Sequence, residues 1–355
     1  MYIGSRIIKT GLVVTVAIYL ANLANVNPPI FAAISAVINL KPSIAQSWKN
    51  AKQQVLVHLI SITVAIATGY ILGGNPVAMG LSAIVVILIC LKFNWKEHIL
   101  IGIVAAIFVL DAAKVDFLTH ALSRSLSVFI GLFVALVVNV LLAPPKYKRP
   151  LLESVKKLHQ TAVSEFKQAV DEFISLKPPN PMVDEEKLNH EARKLLQYYR
   201  DEIHYTNYFK GNRDRDEKYY ELLFSVIEYS TGLLDKAASI REIIPARIER
   251  REKAGDLPIS HEFQQILSML EKATSAVERV NKKLEKSYFN YEKQEPENMK
   301  DEFWVDLNKI IEQWQGKFNG HYYLNALLEL ALAINDMRWA AREAKRLLMK
   351  SSNVF

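Results

Sequence analysis

The sequence predicts an all-α protein: a six-helix transmembrane domain over residues 1–145, then a cytoplasmic antiparallel helical bundle over residues 146–355. Three observations carry the prediction. Long apolar runs fill the first 145 residues, where nine Lys/Arg stand against three Asp/Glu. The remainder holds 35 basic and 34 acidic residues and is polar throughout. Apolar residues in that second half recur every three or four positions, with no alternating strand pattern.

A helix needs about 20 apolar residues to cross roughly 30 Å of hydrocarbon. Six segments qualify as candidates: 7–24, 29–40, 55–72, 77–91, 99–113 and 117–142. The first has a basic start and an apolar run, as a signal peptide does. Its end, Ala21–Ala24, is a poor cleavage site and five more apolar segments follow, so it reads as the first span. The second is short and bounded by Pro28 and Pro42, so it is expected either to tilt little and thin the bilayer or to continue past Pro42 as a kinked helix. Loop charge sets the orientation. Arg6, Lys9, Lys41, Lys49, Lys52, Lys92 and Lys96 lie on one side, against Lys114 alone on the other. The positive-inside rule then puts both termini in the cytoplasm.

Ala143-Pro144-Pro145 closes the sixth segment. Leu151, Val155, Leu158, Ala162, Phe166, Ala169 and Phe173 begin the bundle with a helical stripe, which Pro178-Pro179 ends. A second helix is expected over 184–208 and a third from Asp214 to Ile243, with Pro245 as a stop or kink. A fourth follows Ser260 as N-cap, its seam running Phe263, Leu267, Leu270, Ala273, Val277, Val280 and Leu284. A last stretch, 300–349, is interrupted at Gly320. The run from Arg247 to Lys253 reads as a solvated helix end. Lys146, Lys148, Arg149, Lys156 and Lys157 would meet anionic membrane lipid.

Charge and motifs exclude several classes. The pI of about 9.1 reflects the basic excess of the apolar half, not a nucleic-acid surface. One cysteine, Cys90, rules out a disulfide scaffold, a cysteine zinc site and a CxxC centre. No HExxH, phosphate-binding glycine loop or GxSxG occurs. The chain is therefore read as a non-enzyme without metal or cofactor.

Two faces stand out. In the third segment Gln54, His58, Ser61, Ala65, Thr68, Gly69 and Gly73 share one side, and Gly69-x-x-x-Gly73 fits close helix packing. His58 reads as a hydrogen-bonded interfacial histidine or a proton carrier. In the sixth, Asp116, His120, Arg124, Ser127, Gly131, Ala135 and Asn139 drift around one side. A charge inside hydrocarbon is costly, so Arg124 must meet a cavity, a carboxylate or backbone carbonyls, or snorkel outward. One reading makes it the receptor of an anion. The competing one pairs it permanently with Asp111 or Asp116 as a staple between helices. On the first, Asn39, Ser127 and Asn139 supply neutral hydrogen bonds, while His120, Asp111 and Asp116 join His58 as proton-coupling candidates. Gly131 is expected to pack against another helix.

Residues 29–43, PIFAAISAVINLKPS, together with Ala51-Lys-Gln-Gln54, Arg124, Gly131, Asn139 and Pro144-Pro145, resemble the signature of the bacterial aromatic acid exporter family, a group of fusaric-acid-resistance-like membrane proteins. The resemblance covers the apolar half well, and the rest looks like that family's C-terminal helical domain. It implies a plasma-membrane exporter of aromatic carboxylic acids driven by the proton gradient. Larger members of the family repeat this unit, so a single unit implies a homodimer or higher homo-oligomer. The third segment departs from the family, which places glycines near its start where His58 and Ser61 stand. The alternatives are a membrane-anchored helical scaffold without transport activity and a passive organic-anion channel.

Overall fold

The computed structural model describes residues 5–41, 44–111, 117–141, 147–181, 184–210, 213–256, 258–294, 301–315, 321–352 and 354. Among these there are twelve α-helices, one 3₁₀ turn at Lys96–His98 and no strand. The chain divides into two compact units, Met1–Lys146 with His204–Tyr208, and Tyr147–Ile203 with Phe209–Phe355.

The first unit contains α1 (Ser5–Leu23), α2 (Ile30–Asn39), α3 (Ile44–Leu72), α4 (Pro76–Lys92), α5 (Ile99–Leu110) and α6 (Phe117–Leu141). Two of these are long and apolar enough to cross a membrane, over Gln46–Leu72 and Ala121–Val140. Stretches Ile7–Leu23, Ile30–Asn39 and Pro76–Lys92 are apolar but shorter. Helix α3 starts eleven residues earlier than the apolar run suggests. Lys49 and Lys52 therefore sit on a helix and not in a loop. Asn75 caps α4 by accepting from the Ala78 amide at 2.8 Å, with Pro76 at the first helical position, a pairing suited to a helix start. Gly73 ends α3 at φ +80°, the left-handed stop that glycine adopts without strain.

Packing in this unit depends on small side chains. Ala17, Ala21, Ala32, Ala36 and Ala135 form an alanine-rich cluster from α1, α2 and α6. A second cluster joins Val57 and Ala65 of α3 to Val86, Cys90, Ala106 and Val109 of α4 and α5. Small residues let helix backbones approach where the surrounding solvent is itself apolar. Gly131 is the extreme case: a Cβ there would lie 2.0 Å from the Ala32 carbonyl oxygen. Gly102 plays the same part against Val57 and Ser61.

The second unit contains α7 (Lys148–Ser175), α8 (Glu185–Lys210), α9 (Arg213–Lys253), α10 (His261–Asn290), α11 (Asp301–Gln315) and α12 (His321–Ser352). Helices α7, α9, α12 and α10 form a ring around one large core. The expected all-antiparallel order is corrected. Lys148 lies over Tyr219, Glu165 and Glu172 reach Arg241, and Phe173 meets Arg247. These pairs rise together, so α7 and α9 run parallel. Ser287 meets Ser351 at the far ends of α10 and α12, while their first turns share a cavity wall; this pair is parallel too. Each parallel pair exists because an intervening helix, α8 or α11, returns the chain.

Ser260 caps α10 by accepting from the Phe263 amide. Pro245 neither stops nor ends α9, which continues to Lys253. The roughly 3 kcal/mol penalty of an interior proline is offset by burying Ile240 and Ile244 beside it. The Arg247–Lys253 run is solvated only in part: Glu249, Glu252 and Lys253 are exposed, but Arg247 is buried and donates to the Phe173 carbonyl at 2.8 Å.

Arg241 lies between Glu165 (2.6 Å) and Glu172 (2.8 Å), all three buried. Burial alone would raise the Glu172 carboxyl, but hydrogen bonds from Arg241, Asn180 and Gln168 outweigh it and hold it below the usual carboxylate range. Two of the lysines expected at lipid are engaged within the bundle. Lys148 lies over Tyr219 and Tyr291, and Lys156 reaches Glu285.

Candidate functional site

A polar seam runs where α2, α3 and α6 meet. Ser47, Asn50, Gln54, His58 and Ser61 lie three or four residues apart on α3, so they form one stripe, and all are buried. At 1.5 Å per residue the stripe is about 21 Å long. Its first turns answer Asn139 of α6, which donates to Ser47 Oγ at 2.9 Å and to the Lys41 carbonyl at 3.2 Å. Next comes a network around Asn39 of α2. Asn50 donates to Asn39 Oδ1 at 2.9 Å, Asn39 donates to Gln54 Oε1, and Gln54 donates to Ser35 Oγ at 3.1 Å. Ser35 donates in turn to the Val128 carbonyl at 2.8 Å. Further along, His58 Nε2 pairs with Ser125 Oγ at 3.1 Å. The amides of this network satisfy one another, whereas His58 Nδ1 and Ser61 Oγ are buried without a hydrogen-bond partner among the described residues.

Arg124 of α6 lies in the same unit at 7% exposure. Its guanidinium carbon sits 3.4 Å from the ring centre of Phe31 on α2 and 4.2 Å from that of Phe108 on α5. The two rings meet edge to face at 4.9 Å. Ring faces attract a cation, by about 2 kcal/mol when desolvated, but they do not neutralise it. Arg124 Nε is buried without a hydrogen-bond partner among the described residues, and no described carboxylate pairs with this side chain. Asp111 is exposed, so the staple to Asp111 is not formed. Asp116 and the side chain of His120 lie outside the described residues.

The other expected residues fall as follows. Asn39, Asn139 and His58 belong to the seam, and Ser127 donates weakly to the Pro28 carbonyl at 3.4 Å. Gly69 and Gly131 are buried. Gly73 is the turn that ends α3. The structure adds Phe31, Phe108, Ser35, Ser47 and Asn50. Helical spacing extended backward from Gln54 reaches Asn50 and Ser47. Nothing in the sequence singles out two phenylalanines among apolar neighbours.

The outside of this unit is apolar. Ile8, Tyr19, Leu23, Ile71, Leu88 and Phe133 are all well exposed, a surface that water would not tolerate over such an area. A helical unit with an apolar exterior and its polar groups buried within is that of a membrane protein. Residues 1–142 match the family model described as "Aromatic acid exporter family member 1". UPF0421 protein YgaE of Bacillus subtilis is 35% identical over 214 residues, 59% of this chain and 59% of its own length. A UPF0421 protein of Staphylococcus epidermidis is 30% identical over 232 residues, 62% of this chain and 70% of its own. UPF0421 protein BH2644 of Halalkalibacterium halodurans is 23% identical over 254 residues, 71% of each chain, so this likeness reaches into the second unit. The chain belongs to the aromatic acid exporter family. It spans less than two thirds of the Bacillus subtilis relative's length.

Proposed function

We propose that the protein exports aromatic carboxylic acids across the bacterial plasma membrane. It would do so with six spans, both termini in the cytoplasm, two or more copies assembling, and the proton gradient as driving force. Arg124 carries this reading: a buried guanidinium pressed between two aromatic rings, with no described carboxylate to neutralise it. An aromatic acid supplies the carboxylate that no described residue provides. Its carboxylate accepts two parallel hydrogen bonds from the guanidinium, and its ring packs against the edge-to-face pair of Phe31 and Phe108. Asn39, Ser127 and Asn139 offer neutral hydrogen bonds along the path. His58, held by Ser125, is the proton carrier nearest this path, with His120, Asp111 and Asp116 toward the outer side.

Uptake of labelled 4-hydroxybenzoate into everted membrane vesicles tests the proposal. Wild-type vesicles should accumulate it under an imposed pH gradient and lose it on adding a protonophore. Arg124→Ala should abolish accumulation. Arg124→Lys, expressed at the wild-type level, should reduce it about tenfold, the equivalent of one 1.4 kcal/mol interaction. Normal accumulation by a well-expressed Arg124→Ala protein refutes the reading. Flux that ignores the gradient favours the channel, and no flux at all the scaffold.

A further inference from the structure

The six helices of the first unit fall into two sets of three with the same plan. Helices α1, α2 and α3 have 19, 10 and 29 residues, and α4, α5 and α6 have 17, 12 and 25. The turns repeat: Asn25 and Asn94 both follow their helix at positive φ, +55° and +57°. The Val26 amide donates to the Ala21 carbonyl at 3.0 Å, and the Trp95 amide to the Cys90 carbonyl at 2.8 Å. Burial repeats as well. Every buried position of α5, from Gly102 to Leu110, has a buried counterpart 70 residues earlier, from Ala32 to Leu40. Every buried position of α3 from Ala51 to Gly69 has one 70 residues later, from Ala121 to Asn139. Even the closest helix crossing recurs. The approach of Gly131 to Ala32 has its counterpart in Ser61 and Gly102, where an added Cβ on Gly102 would lie 2.8 Å from Ser61 Oγ.

The long helices are exchanged between the sets. Helix α6 packs into the core of α1 and α2, and α3 into that of α4 and α5, so each lobe joins pieces of both. Ser47 meets Asn139 and His58 meets Ser125. Helices α3 and α6 are therefore antiparallel, and residues 70 apart come level near Val57 and Ser127. Three spans per copy insert the second copy upside down relative to the first, and transporters built in this way hold their site where the copies meet. His58 Nδ1, Ser61 Oγ and Arg124 Nε, all buried without a hydrogen-bond partner among the described residues, lie within about one turn of that level. The two ends of the seam differ. At one, Asn139 ties the lobes through Ser47, Asn39 through Asn50 and Gln54, and Lys41 through Glu97 at 3.0 Å. The counterparts of Asn39 and Asn139 are Val109 and Gly69, which carry no amide, and Asp111 and Asn27 stand in for Lys41 and Glu97. We propose that α1–α3 and α4–α6 are inverted copies of one three-helix unit, and that the seam between the lobes is a two-ended gate, shut in this structure at the Lys41 end. In its other state these ties break and the opposite end closes. The inference rests on the six-span export reading in assigning the two ends to opposite sides of the membrane.

Full-length protein carrying Cys90→Ala is placed in lipid nanodiscs and spin-labelled across the lobes. One pair is Val37→Cys with Lys96→Cys, at the Lys41 end; the other is Asn27→Cys with Asp111→Cys. All four positions are exposed. Distances are read by double electron–electron resonance. Asn139→Leu removes the hydrogen bonds to Ser47 and the Lys41 carbonyl. It should lengthen the first distance and shorten the second, shifting the two populations about fivefold for each neutral hydrogen bond lost. If Asn139→Leu fails to fold, Glu97→Gln, at an exposed position, makes the same comparison with a smaller shift. Distances that change in the same sense at both ends, or at neither, overturn the proposal. A disulfide between Ser47→Cys and Asn139→Cys should abolish vesicle uptake of 4-hydroxybenzoate until it is reduced. Uptake that persists with the disulfide formed also overturns the gate. Reciprocal distance changes in a protein that takes up no 4-hydroxybenzoate uphold the gate and remove only the export reading.

Discussion

Adding a single methyl group at Gly131 should separate two helices. A Cβ at this position would lie 2.0 Å from the Ala32 carbonyl oxygen and 2.9 Å from Ser35 Cβ, where ordinary contact begins at 3.4 Å. The obstacle is backbone, which cannot rotate away, so α2 must retreat from α6 by about 1.4 Å. Ser35 donates to Val128 across this contact at 2.8 Å, and a retreat of that size breaks the bond. Phe31, one residue from Ala32, would be drawn off the Arg124 guanidinium. Overpacking alone costs about 1–3 kcal/mol, and the lost hydrogen bond adds about 1 kcal/mol. Gly80→Ala is the control. It lies in α4 with nothing within 4 Å of the added carbon, so it should be neutral or stabilising by about 0.5–1 kcal/mol. Thermal unfolding of both variants in the same detergent, alongside vesicle uptake, provides the comparison. A Gly131→Ala protein as stable and as active as Gly80→Ala would refute the packing argument.

Two further outcomes are expected in the helical bundle. Arg241→Met leaves Glu165 and Glu172 buried without their counter-charge, a loss of about 3–5 kcal/mol that chemical denaturation should detect. Adding Glu165→Gln and Glu172→Gln to the same chain should recover most of it. Glu278, hydrogen-bonded by Lys167 and Lys282, has its carboxyl depressed to about 2 from 4.5. A carboxyl depressed on folding stabilises the folded state above its unfolded value, and the contribution is lost as pH falls through the folded one. Glu278→Gln should therefore flatten the fall in bundle stability between about pH 4.5 and pH 2, measured by circular dichroism. An unchanged slope would show that the lysine contacts do not persist in solution.

Much of the helical layout is legible in the sequence, because periodicity and terminators act locally. Ser260 before the Phe263 stripe marks the start of α10, and Pro178-Pro179 follow the end of α7. Where tertiary packing overrides a local rule, the sequence misleads. Pro245 is a breaker by propensity, yet it continues α9 because its neighbours are buried. Lys49 and Lys52 lower the hydropathy around Ser47 and Asn50, so four turns' worth of stripe on α3 reads as only part of that length. Parallel pairing of α7 with α9 has no local signature, since it depends on contacts some 70 residues apart. Arg124 is conspicuous as a charge among apolar residues. Its partners are not: Phe31 and Phe108 acquire meaning only when α2 and α5 bring them to the same guanidinium.

The two parallel pairs also bear on the order in which the bundle can be made. Helix α12 lies between α9 and α10, and its late residues Leu347, Leu348 and Ser351 are buried. Lys350 reaches Glu221, 129 residues earlier in the chain. While a ribosome is still translating residues before His321, the stripes of α9 and α10 that α12 covers have nothing to lie against. Long loops must be closed before such contacts reward the chain, which slows folding. A chain truncated upstream of α12 is therefore expected to leave the apolar stripes of α9 and α10 uncovered and to be cleaved faster by a protease than the full-length protein.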